Sequence, residues 1–144
     1  MEKVKKQGME SLFCPYDLAL ELKELGFDEK CIGLWQSKYN SVPYLNINSV
    51  ENIDTLLSGK IHNEDVNYIV KSPLWQQAFR FFREKYGLHY IICKNIQMDG
   101  YGYREVILIP YMEENENTIF KTYEEAEVEC LVKLIEIAKE KNVK

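Results

Sequence analysis

The sequence predicts an α+β fold, a mostly antiparallel sheet packed against two or three helices. Three observations carry the prediction. In the second half, two helix patterns bracket a paired-strand pattern, giving an α-β-β(-β)-α unit over residues 72–144. In the first half, two short strand patterns flank a turn at Asn40-Ser41. Near the start lies a helix pattern with a single apolar stripe. At 144 residues the chain reads as one domain, 1–144, with residues 1–10 as a flexible tail.

The first helix is expected over Pro15–Leu25. Pro15 suits the first helical position, and Leu18, Ala19, Leu22 and Leu25 form its stripe. Gly26 takes the left-handed cap, and Phe27 folds back on Leu22. Cys31–Tyr39 and Val42–Ile47 have strand character, and Pro43, with no N–H to donate, marks an edge or a strand start. Ser49–Ser58 reads as a short helix with Ser49 as its cap and Gly59 at its end. A polar loop then leads to Val66–Val70, which reads as an extended segment or a helix turn.

The second long helix begins after Ser72 with Pro73 at its first position. Trp75, Ala78, Phe79, Phe82 and Tyr86 share a face, and Gly87 caps the end. His89–Ile96 and Arg104–Tyr111 are the strongest strands, with Asp99–Tyr103 as a hairpin tip. Thr118–Lys121 adds a third strand after the acidic loop Glu113–Asn117. The last helix opens on Thr122 with Glu125 three residues on, a capping-box spacing, and runs to about Lys141. Its residues Ala126, Cys130, Leu131, Leu134, Ile137 and Ala138 cover about half the circumference. Val128, Val132 and Ile135 widen that arc beyond what one sheet face needs. Val128, Leu131, Val132 and Ile135 are therefore the candidate interface residues, facing either a second copy or another helix of the same chain.

Composition narrows the function classes. The chain is 46% hydrophobic and 28% charged, a globular balance, and no apolar run approaches the length of a membrane span. The charged start Met1–Gly8 lacks the apolar core of a signal peptide, so a cytoplasmic protein without membrane partners is expected. Cys14, Cys31, Cys93 and Cys130 form no C-x-x-C pair, and only His62 and His89 are available to join them, so no metal and no other cofactor is expected. Cys93 and Cys130 read as small buried hydrophobes. Net charge is −5, and from Ser72 onward ten Lys/Arg stand against twelve Asp/Glu, which opposes a strong non-specific grip on nucleic acid.

No nucleophile or phosphate-loop motif is present, so no catalytic residue is assigned and no enzyme is expected. The glutamates opening the last helix complement its positive end; Glu127 is the odd one, pointing toward the apolar arc. Arg80, Arg83 and Lys85, with Arg104 on the hairpin, form the candidate nucleic-acid site, with Lys71 and Lys94 nearby in the pattern. Two arginines three apart can grip a phosphate; a solvated helix face is the ordinary alternative.

Three segments carry a resemblance: Leu22-Lys23-Glu24-Leu25-Gly26-Phe27-Asp28, the run from Gln76 to Leu88, and Thr122-Tyr123-Glu124-Glu125-Ala126-Glu127 with the following Cys130-Leu131 and Lys133–Ile137. Together they resemble a family of small proteins of unassigned function carried by phages and prophages. The resemblance implies a mobile-element accessory protein and transfers no reaction. The helix–strands–helix order is also similar to the double-stranded RNA-binding domain. Where that family places lysines over the phosphates, this chain has Tyr123, Glu124, Glu125 and Glu127, which removes the chemistry that grips RNA. The sequence thus points first to a non-enzymatic, self-associating interaction protein, and second to a weak nucleic-acid-binding module.

Overall fold

The computed structural model describes residues 8–39, 41–60, 63–95, 99–105 and 119–143. These residues form an α+β fold whose strands divide over two antiparallel sheets, one of three strands and one of two. The chain separates into two compact units, with the boundary between Ala78 and Phe79.

In the first unit, a 3-10 turn at Met9–Leu12 precedes α1, Tyr16–Glu24. Met9 and Glu10, at the end of the expected tail 1–10, thus lie in a 3-10 turn, and Pro15 is the N-cap rather than the first helical residue. The end of α1 follows its sequence: Gly26 adopts φ 92°, Phe27 N–H donates to Leu22 O at 2.9 Å, and Gly26 N–H donates to Lys23 O at 3.0 Å. β1 (Gly33–Lys38) pairs with β2 (Tyr44–Ile47) on one side and β3 (Val66–Ser72) on the other, in the order β2-β1-β3. The segment left open between extended and helical is therefore a strand. α2, Val50–Leu57, starts at Ser49, whose Oγ accepts from Asn52 N–H at 3.2 Å.

Both helices pack on β3. Tyr16 of α1 meets the Trp35 ring edge-on, whereas the Lys71 amine, on the Leu34 face, reaches Asp54 of α2. Leu22, Leu34 and Ile53 are fully buried and mark the core. The N-terminal segment is tied down by Cys14: its carbonyl accepts from Trp35 Nε1 at 3.0 Å and Ser72 Oγ at 2.9 Å, and its N–H donates to Pro73 O at 2.9 Å.

α3, Trp75–Tyr86, crosses the boundary. It starts two residues later than expected, because Pro73 is buried in the connection and Gln77 Oε1 accepts the Leu74 N–H instead. In the second unit, β4 (Tyr90–Asn95) and β5 (Gly100–Glu105) form a hairpin, and α4, Tyr123–Val143, packs on both strands. The expected flexible tip at Asp99–Tyr103 is strand from Gly100 onward. Gly100 is there for close approach: a Cβ would run into the side chain of Ile119 and lie 2.9 Å from Phe120 O. Tyr101 and Phe120 exchange N–H···O bonds of 2.7 and 2.8 Å, so the expected third strand is present as an isolated bridge. Residues 1–7, His62, the strand expected beyond Glu105 and the acidic loop Glu113–Asn117 lie outside the described residues.

Candidate functional site

The basic residues singled out by sequence differ in their surroundings. Arg80, Arg83 and Lys85 are exposed on α3, with the Lys85 amine 5.4 Å from the ring centroids of both Phe81 and Tyr86 on its own helix. Arg104 is half-buried on β5, and its Nε has no partner among the described residues. Lys94 stands 4.0 Å from Asp99, a surface pair worth little.

Of the candidate interface residues, Leu131 is fully buried and Ile135 is 4% exposed, while Val128 and Val132 are half-buried. The wide arc of α4 is thus largely taken up inside the chain. Its middle lies over the hairpin, where burial and, after it, the neighbouring Cys130 raise the pKa of Tyr103, and its end is fixed by Asn142 Nδ2 donating to Tyr86 Oη at 3.0 Å. Glu127, on the same helix, is half-buried; loss of water and the nearby Glu124 carboxylate raise its pKa to about 6.

A cleft of about 460 Å³ opens beside β3, lined by Lys23, Phe27, Asp28, Asp54, Leu57 and Lys71. The Lys71 amine is fully engaged there: 3.4 Å from Asp28 Oδ1, 3.6 Å from Asp54 Oδ1 and 3.3 Å from Glu29 O. Cys31 lies nearby, its thiol donating to Glu29 O at 3.4 Å and its pKa pushed up to about 12, chiefly by burial. A thiol held in its protonated form is a poor nucleophile, and the Lys71 side chain is taken up by its two carboxylate partners. No group of three or more metal-ligating side chains occurs among the described residues.

The two edges of the first sheet differ from each other. β3 is guarded by the means that discourage strand addition. A bulge opposite Trp35 and Gln36 breaks its ladder, Lys71 sits near its end, and α1 and α2 both pack on it. Among the described residues β2 shows neither a bulge nor a lysine. From Ser41 to Asn48 there is no charged residue, and the register with β1 is unbroken from Gly33↔Ile47 to Gln36↔Tyr44. Val42 is 85% exposed, and Tyr44 and Ile47 are also exposed.

The hydrogen-bond phase of this edge follows from one contact. Asn48 N–H donates to Ile32 O at 2.9 Å, so Asn48, Asn46 and Tyr44 turn their main-chain groups toward β1. The N–H and C=O of Leu45 and Ile47 therefore point outward. On the Leu34 face the edge is stiffened by side chains: Gln36 Nε2 donates to Tyr44 Oη at 2.7 Å, and Asn46 Nδ2 donates to Gln36 Oε1 at 3.0 Å. Leu45 and Ile47 were not among the sequence-predicted site residues; Pro43 was their one signal, as an edge marker. Comparison with protein-family models, with curated proteins and with solved structures gave no match.

Proposed function

We propose that this protein is a non-enzymatic interaction module that binds another polypeptide by strand addition at the β2 edge. The observation that carries the reading is the outward pair of main-chain groups on Leu45 and Ile47, set in an uncharged, exposed strand with no bulge. Such an edge supplies affinity through main-chain bonds and leaves side chains to set specificity. The resemblance to phage- and prophage-borne proteins supports an accessory role in that setting.

Amide hydrogen exchange tests the reading. In the free chain the Leu45 and Ile47 amides exchange fast, while those of Tyr44 and Asn46 are protected by β1. In a complex formed through this edge, Leu45 and Ile47 become protected as well. Complexes in which these two amides stay fast would remove the β2 edge as the working surface.

A further inference from the structure

We infer that the strand added to β2 belongs to a second copy of this chain, related by a two-fold axis through Asn46. The inference rests on the reading of β2 as a docking edge and names its occupant. An antiparallel pair made by a two-fold axis places each residue opposite one on the same sheet face, so the axis must pass through a residue position. Two registers are available to so short a strand. With Leu45 opposite its own copy, Ile47 faces Pro43, which has no N–H to return, and one bond of each such pair is lost. With Asn46 opposite its own copy, Leu45 faces the partner copy's Ile47 twice over. Both residues present their N–H and C=O outward, so each pair exchanges two main-chain bonds. The two apolar side chains of each pair also share a face, a stabilising cross-strand arrangement.

Charge agrees with this choice. Each copy carries a net charge of −5, yet the segment from Ser41 to Asn48 has none, so the copies meet where like charges are absent. The β3 edge, with its bulge and its paired Lys71, does not offer the same match. The result is one six-stranded sheet in the order β3-β1-β2-β2-β1-β3.

The test uses the full chain and two substitutions. By sedimentation equilibrium up to about millimolar protein, where weak specific interfaces are populated, the wild-type chain is expected to form particles of twice the chain mass. Ile47→Lys, at an exposed position, is expected to weaken this at least about tenfold, with an unchanged circular dichroism spectrum showing that the fold persists. In the axis register Asn46 faces its copy as a non-hydrogen-bonded pair, with Cα atoms about 4.5 Å apart, within disulfide range. Asn46→Cys, in a Cys93→Ser background, is therefore expected to cross-link to a dimer under mild oxidation. A chain that stays monomeric and does not cross-link overturns the inference. So does a dimer that ignores Ile47→Lys and fails to cross-link at 46. If Leu45 and Ile47 become protected only with a different protein, strand addition stands and the second copy is excluded.

Discussion

Gly33 shows how closely the first sheet is fitted. A Cβ there would stand 2.6 Å from Ser72 O and 2.7 Å from a ring carbon of Phe13, so backbone on one side and a buried aromatic on the other leave no room. Gly33→Ala is expected to destabilise the protein by about 1–3 kcal/mol through overpacking, read as a lower denaturation midpoint with an unchanged slope. Glu127 poses a different problem, because its cost depends on pH. The folded chain holds its proton up to about pH 6 against an ordinary value of 4.5. Stability from this residue is therefore fully present below 4.5, falls as pH rises through about 6, and stays lost above it. Because the side chain keeps part of its water, the loss is about 1 kcal/mol rather than the full conversion of the shift. Glu127→Gln should raise stability by that amount at pH 7.5 and change little at pH 4, compared by urea denaturation at the two values.

At the level of elements, α4 is a helix whose start is written locally. Thr122 Oγ1 accepts from Glu125 N–H at 3.1 Å, and Glu125 Oε2 accepts in return from Lys121 N–H at 3.2 Å, one residue earlier than the usual reciprocal bond. Thr122→Ala is expected to cost about 1 kcal/mol in chemical denaturation, and Thr122→Ser to restore most of it. Features of this kind were legible in the sequence because their partners lie within a few residues: the Thr122 cap, the Ser49 cap, and the Gly26–Phe27 ending of α1. Features that depend on distant chain were not. The arc of α4 reports how much surface is covered, but not by what, so Leu131 and Ile135 read as an interface although both are buried. Gly100 reads as a turn residue, since nothing in its neighbours announces that Ile119 closes on it. The open β2 edge was hidden for the same reason: exposure of Leu45 and Ile47 main-chain groups is set by which side β1 takes, a property of register and not of composition.

For the molecule as a whole, salt separates the two functional readings by sign. A chain of net charge −5 repels its copy over distances of about 10 Å at 0.1 M ionic strength, and added salt shortens that range. Pairing through an uncharged strand has no attractive ion pairs to lose, so only the repulsion is screened. Self-association is thus expected to tighten about two- to threefold between roughly 0.05 and 0.5 M salt. A grip on nucleic acid through Arg80, Arg83, Lys85 and Arg104 would behave in the opposite way, because each phosphate contact releases counterions and the affinity falls steeply as salt rises. Sedimentation across a salt series, with and without a short DNA or RNA duplex, reads both at once. A dimer that tightens while the duplex stays unbound at the lowest salt is the outcome expected of the β2 edge. A dimer that loosens with salt would place ion pairs at its interface, which β2, carrying no charge from Tyr44 to Ile47, cannot provide.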